Sequence, residues 1–220
     1  MWFFHELSIL KKCNRIPCPR KWFSISPSRV CSQIILATNE NNLLTRFVNR
    51  GDYSVSKVVP TSSPSMDIQV ASNFERYLYY LYGSDPGRTR KDFEQFAQSG
   101  RLSFNDDLLK TIQADFASKS VSESETIETI KQFYREHDYL LDPHTAVGVN
   151  AAENCRSGNI PVVCLATAHP AKFGSAVLKA IGRKPDLPPP LQGLTEKDSR
   201  CEVLDPDVGT VQDYIASHAL

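Results

Sequence analysis

The sequence lacks a surplus of charge: 25 Lys and Arg stand against 25 Asp and Glu in 220 residues. Phosphate binding relies on clustered Lys and Arg, and no one-sided basic stripe is present, so nucleic acid is not an expected partner. No uncharged apolar run approaches the roughly 20 residues that cross a bilayer; the longest, "IPVVCLATA" at residues 160–168, is strand-sized, and no membrane partner is expected. Gly-rich phosphate loops, His-Glu-x-x-His and Gly-x-Ser-x-Gly are missing, which removes the commonest signatures of nucleotide hydrolysis, zinc proteolysis and serine hydrolysis. There is no internal repeat. What is present is the 41% hydrophobic composition of an ordinary globular chain, long enough to bury roughly 70% of its unfolded surface.

The first 33 residues differ in kind from the rest. They hold six basic residues and one acid, both tryptophans, three of the six cysteines and five serines, and the remaining 187 residues carry a balance of −5. An Arg- and Ser-rich, acid-poor start fits an organelle transit peptide better than a secretory signal, because His5 and Glu6 interrupt the apolar opening. His5, Cys13, Cys18 and Cys31 lack the paired spacing of a structural zinc site, so no metal ligand is assigned. Cys155, Cys164 and Cys201 form no disulfide framework and read as the thiols of a cytoplasmic protein.

Regular punctuation begins at Gln33 and points to an α/β fold. "QIILAT" reads as a buried strand. A helix follows with Leu43, Leu44, Phe47 and Val48 on one face and Gly51 at its end, and residues 57–59 are expected as a second strand of a βαβ unit. Helices are then expected from Ser72 or Asn73 to Gly83, around residues 93–98, through Leu108, Leu109, Ile112 and Phe116 with a cap near Ser103, and after the capping box of Ser122 and Glu125. Further on, "DYLLDP" runs from a short strand into a helix capped by Asp142 with Pro143 at its first position. Residues 161–166 read as a strand, "HPAKFGSAVLKAIG" as a helix, residues 183–207 as a Pro-rich extended connection and residues 208–217 as a small helix.

Three strand-to-helix junctions carry short polar residues where open α/β sheets bind ligands: Thr38-Asn39-Glu40-Asn41, Asp142-Pro143-His144-Thr145 and Thr167-Ala168-His169-Pro170. Each pattern is also that of a capped helix start. The aromatic and leucine stripes are read as packing.

"ATNENNLLTRF", "SPSMDIQVASNFER", "YLLDPHTAVG" and "VVCLATAHPAKF" resemble, in order and spacing, successive motifs of the C-terminal half of threonine synthases of the fungal and bacterial type. "LQGLTEKDSR" and "VQDYI" are similar to that family's tail. The resemblance covers residues 33–182 and, more loosely, residues 191–215. It implies a helix-rich, partial tryptophan-synthase β-like domain (the type II fold of pyridoxal-phosphate enzymes). It also implies a lyase of threonine biosynthesis that converts O-phosphohomoserine and water to threonine and phosphate. In that family the cofactor acts as electron sink while the protein orients it. The match places the Thr167 hydroxyl opposite the pyridine nitrogen and "ASNFER", with Ser72, Asn73 and Arg76, near the substrate phosphate, for which Arg is the natural bidentate partner. Asn39, His144, Thr145 and His169 are expected to line the cleft.

The departure from the family matters as much. Its Schiff-base lysine stands in a His-Gly-Pro-Thr-x-x-x-Lys-Asp motif, and no lysine here has that context; Lys172 belongs to "HPAKF". The Gly-Asn-Phe-Gly loop that cradles the cofactor phosphate is missing too. A single hydrogen bond contributes on the order of 1 kcal/mol and does not replace a covalent anchor. No catalytic residue is therefore assigned, and the chain is expected to be inert alone. The resulting organisation is a non-family, poorly ordered segment at residues 1–32, joined near Val30 as from a mispredicted exon or truncated gene, and a threonine-synthase-like region at residues 33–182. The connection at 183–207 and a helix at 208–220 complete it. Two alternatives follow: a non-catalytic interaction module, using the face left by the missing half, or a half that complements a separate N-terminal chain.

Overall fold

The computed structural model describes residues 8–12, 33–156, 158 and 160–219. The chain divides into one unit that extends to Pro185 and a second formed by Asp186–Leu220. In the first, β1 (Ser8–Lys12), β2 (Gln33–Thr38), α1 (Leu43–Arg50) and β3 (Asp52–Ser54) are followed by α2 (Phe74–Leu81) and α3 (Pro86–Ser99). Next come β4 (Arg101–Ser103), α4 (Asp106–Asp115), β5 (Phe116–Ser120), α5 (Glu123–His137), α6 (Pro143–Cys155), β6 (Val162–Val163) and α7 (Gly174–Ile181). The main sheet has the order β5-β2-β1-β6. β2 and β5 run parallel, Ile34 opposite Phe116 and Thr38 opposite Ser120, whereas β1 is antiparallel to both its neighbours. β1 lies inside the 1–32 segment; His5, Cys13, Cys18, Cys31 and Val30 lie outside the described residues.

β2 is the buried centre: Ile34, Ile35, Leu36 and Ala37 are all buried, with Ile35 fully enclosed. That matches its unbroken apolar sequence, since strands covered on both faces need no polar alternation. The expected βαβ unit takes another form. Residues 57–59 are not a strand; Val59 donates its amide to the Asn41 side chain instead of to a ladder. The strand after α1 is β3, which pairs with β4 in a separate two-stranded sheet. The parallel partner of β2 is β5, whose sequence "FASKS" is too polar to announce a strand.

Local signals set the helices. Gly51 ends α1 at φ 67°, where a Cβ would meet the Phe104 carbonyl oxygen at 3.2 Å, so glycine is required twice over. α3 is longer than the short helix expected around residues 93–98, because Asp85 caps the amides of Gly87 and Arg88 and Pro86 opens the helix. α4 is capped by Asn105, two residues beyond Ser103, and Phe116 starts β5 instead of finishing the helix. The Ser122–Glu125 capping box and the Asp142 cap with Pro143 at the first turn form as their sequences imply. Residues 139–141 form no strand, and the strand expected over 161–166 contracts to the two residues of β6. "HPAKF" is a 3-10 turn, Pro170–Phe173, ahead of α7.

A first apolar cluster joins α1, β3 and α2 through Phe47, Tyr53, Phe74 and Tyr77, with the Tyr53 and Phe74 rings stacked at 4.0 Å. The Tyr53 hydroxyl accepts the Ala71 amide at 3.1 Å, which fixes the approach to α2. A second cluster packs β2 against α6 through Ile35, Ala37, Val147 and Ala151.

In the second unit, short 3-10 turns at Pro189–Leu191 and Leu194–Glu196 precede α8 (Val208–His218), capped by Asp207. None of its described residues is buried. Among the described residues no helix is long and apolar enough to cross a membrane.

Candidate functional site

The turn between β2 and α1 is built by two buried asparagines. Asn39 Oδ1 accepts the Asn41 amide at 2.9 Å, the local bond that lets Asx residues reverse a chain. Their side-chain amides reach a second loop, residues 59–67. Asn39 Nδ2 donates to Asp67 Oδ1 at 2.7 Å, Thr61 Oγ1 at 2.8 Å and Ser63 Oγ at 3.0 Å. Asn41 Nδ2 donates to Asp67 Oδ1 at 2.9 Å and to the Val59 carbonyl at 2.8 Å. Asp67 also accepts from the Thr61 hydroxyl at 2.7 Å and the Thr61 amide at 2.9 Å. One carboxylate therefore gathers four donors and ties the loop to the strand end.

The same loop is held at two further points. Ser65 donates its amide to His144 Nε2 at 3.2 Å, and His144 Nδ1 lies 3.0 Å from Asp142 Oδ1. Because Nε2 accepts, the ring proton sits on Nδ1 and is donated to Asp142. Asp142 accepts as well from the Thr145 hydroxyl and from the His144 amide at 2.9 Å. Burial alone pushes the Asp142 carboxyl up, but the hydrogen bonds from His144 and Thr145 outweigh it and hold the group below the ordinary carboxylate range. At the start of α5, Glu123 accepts the Ser62 amide at 2.9 Å and the Ser62 hydroxyl, and its own amide donates to Glu40 at 3.0 Å.

Asn39, His144 and Thr145 thus belong to one assembly, joined through residues 61–67. The Phe173 ring of "HPAKF" packs on His144 with centroids 4.7 Å apart. Ser72 and Arg76 are exposed and Asn73 is half-buried at the start of α2, with no side-chain cap from Asn73. A shallow cavity lined by residues that include Thr38, Asn41, Met66, Ile68 and Ala71 runs from the asparagine turn to the residue before Ser72. Thr167 and His169 are not in that lining. Thr167 is half-buried, and its hydroxyl meets no partner among the described residues. His169 is exposed and its Nδ1 accepts the Ala171 amide at 3.1 Å, a helix-cap arrangement.

Sequence reasoning passed over Thr61, Ser63, Ser65, Asp67 and Glu123, the residues that do the joining. The signal that marks them is the hydroxyl-rich run "TSSPSMD". The amides of residues 61–63 and 65–68 are all spent on internal acceptors, so the loop offers no cradle for a phosphate. Against pyridoxal phosphate, the 61–68 loop offers no amide cradle, and no lysine of the sequence stands in the family's anchoring motif. Among the described residues no cluster of His, Cys, Asp or Glu could hold a metal ion.

The family model described as "Threonine synthase, C-terminal" matches residues 145–215. Threonine synthase of Pseudomonas aeruginosa is 45% identical over 189 residues, which is 85% of this chain and 40% of that protein. The Schizosaccharomyces pombe threonine synthase is 37% identical over 201 residues, 77% of this chain and 39% of its own length. Among solved structures, PLP-bound threonine synthase from Brucella melitensis superposes with a TM-score of 0.80 at 40% identity, covering 86% of this chain and 41% of that one. The yeast enzyme gives 0.74 at 34% identity, covering 84% and 42%. The chain spans about two-fifths of the length of these relatives.

Proposed function

We propose that this chain, which corresponds in sequence and fold to the C-terminal portion of the threonine synthases, supplies one wall of a threonine synthase active site and is inert by itself. The single observation that carries this reading is the partial character of the match. The matched region is 40% of the Pseudomonas aeruginosa relative, and no lysine of this chain stands in the family's anchoring motif. The complete reaction would convert O-phosphohomoserine and water to threonine and phosphate, with pyridoxal phosphate, when bound, withdrawing electrons from the reacting carbons.

The contribution of this chain's own residues is positioning. Thr167 presents an uncharged hydroxyl that can donate to a ring nitrogen without protonating it. Ser72, Asn73 and Arg76 stand at a helix start, where an exposed guanidinium can take a phosphate in bidentate fashion. His144 and Thr145 act through Asp142 to hold the 61–67 loop, and His169 shapes its own turn. They move no proton to a substrate in this reading. The chain is expected to be a cytoplasmic protein.

The test is phosphate release from O-phosphohomoserine in the presence of pyridoxal phosphate, measured for the chain alone and with the N-terminal part of the Pseudomonas aeruginosa relative. No turnover alone and turnover with the added part is the expected result. Turnover by the chain alone would overturn the reading. No turnover in either case, with a complex formed, would favour the non-catalytic interaction module, which the bare apolar surfaces of the chain support.

A further inference from the structure

The 3-10 turn Pro64–Met66 is pinned on both sides and once in the middle. On one side Ser62 is held by Glu123, and on the other Asp67 is held by Asn39 and Asn41. The middle hold is the Ser65 amide on His144 Nε2, at 3.2 Å. It differs from the others in kind, because its acceptor has a single lone pair, which a solvent proton can occupy. Neutral imidazole accepts through one nitrogen; imidazolium carries N–H on both and accepts through neither. A protonated His144 would set its Nε2–H against the Ser65 N–H, donor against donor, so the proton and the amide cannot be held together.

The surroundings accommodate both states. The ring is 4% exposed and fixed in place, with Nδ1–H donated to Asp142 at 3.0 Å and Phe173 packed against it. Asp142, the charged partner of His144, supplies a counter-charge for an imidazolium on the Nδ1 side. On the Nε2 side Ser65 is exposed, so water can take over its amide and meet the new N–H once the turn moves. Other charged groups on the neighbouring segments are engaged elsewhere. Asp67 bonds Asn39 and Asn41, Glu123 bonds Ser62 and lies 3.9 Å from Lys179, and Lys119 bonds Glu125 and Asn150. Lys172 lies over the Phe173 ring, 6.0 Å from its centroid, and His169 accepts the Ala171 amide.

We infer that His144 is a proton-operated latch on the 61–67 loop: a proton taken up at Nε2 releases Ser65 and frees the Pro64–Met66 turn between its two remaining holds. Met66 is buried and lines the cavity with Thr38, Asn41 and Ile68, so the latch governs one wall of that cavity. The sign follows from where the proton goes. Only the released form holds it, so release grows as the pH falls, by up to about tenfold per pH unit for one proton. The bearing of the latch on catalysis rests on the reading of the chain as one wall of a threonine synthase site; the latch itself rests on the bonds at His144.

The test uses the full chain, isotope-labelled and without substrate. Hydrogen exchange of the Ser65 amide, expressed as protection relative to an unstructured peptide at the same pH, is followed by NMR from about pH 8 to about pH 5, together with the His144 ring nitrogens. Ser65 protection is expected to be flat at the alkaline end and then to fall about tenfold per pH unit, as the ring gains its second proton over the same range. Ile35, enclosed in β2, should keep its protection throughout. His144→Gln offers Ser65 an amide oxygen that does not titrate, and its Ser65 protection should not change with pH. Should that variant not fold, the coincidence of ring protonation and Ser65 release in the wild type decides. Ser65 protection that stays constant in the wild type, that falls without ring protonation, or that falls equally in His144→Gln would overturn the latch. Because no substrate enters, a failed latch leaves the threonine synthase reading standing, and a reconstituted pair without turnover leaves the latch standing.

Discussion

Asp67 is the residue on which the candidate site's geometry turns, and its replacement gives a quantitative test. Its carboxylate accepts from Asn39, Asn41, the Thr61 hydroxyl and the Thr61 amide. Asn39 and Asn41 keep other acceptors in Ser63 and Val59, but the Thr61 amide has only Asp67. Asp67→Ala therefore removes four charge-assisted bonds and strands one donor, while water reaches part of the half-buried gap. Hydrogen bonds to charged groups are worth about 1.5–3 kcal/mol each and are not additive within one network, so a loss of about 3 kcal/mol is expected. Asp67→Asn can keep its oxygen toward both asparagines, at the cost of turning its amide toward the Thr61 N–H; about 1–2 kcal/mol is expected. Urea denaturation read by tryptophan-independent far-UV circular dichroism measures both. At about 2–4 °C per kcal/mol the alanine variant should also lose about 6–12 °C in Tm. A loss below about 0.5 kcal/mol for Asp67→Ala would refute the idea that this carboxylate holds the loop.

His144→Leu should cost about 3 kcal/mol, because it leaves the Ser65 amide and one side of the buried Asp142 carboxylate unpaired; His144→Asn, which can still donate to Asp142, should recover part of this. Denaturation midpoints check it, and a tolerated leucine would contradict the pairing. Glu125 is held down to about 2 by its hydrogen bonds from Lys119 and Ser122, below its ordinary 4.5. Its contribution is present above that ordinary value and is lost as the pH falls toward about 2, and the depressed Asp142 acts in the same direction. The Glu125 side chain is 43% exposed, so the solvent-screened pair is worth only about 1 kcal/mol. Stability measured from pH 6 to pH 2 should fall across the acid range, and Glu125→Gln should flatten part of that fall; an unchanged profile would refute the assignment.

What was legible in the sequence was local. The caps at Ser122 and Asp142 and the stop at Gly51 act within a few residues, and each formed where its residues stand. β2 was legible because it is apolar throughout. β5 was not, because "FASKS" is a strand by virtue of lying beside β2, with Ser118 donating to the Leu36 carbonyl. The cap at Asp85 was overlooked although equally local, which shortened α3. In the site, the polar junctions at Asn39 and His144 were visible as polar residues at helix starts. Their connection was not, because Asp67 and Ser65 lie 28 and 79 residues away along the chain. The motif resemblance supplied Thr167, Ser72, Asn73 and Arg76, none of which the composition or periodicity distinguishes from ordinary helix-start residues.

The central claim is that the reactive amine for pyridoxal phosphate is not on this chain. Borohydride reduction of the chain with pyridoxal phosphate, alone and after co-refolding with the N-terminal part of the Pseudomonas aeruginosa relative, followed by peptide mapping, tests it most directly. The account predicts a pyridoxyl label on a lysine of the added part and none on this chain. A stoichiometric label on a single lysine here, Lys172 included, accompanied by threonine formation, would contradict it.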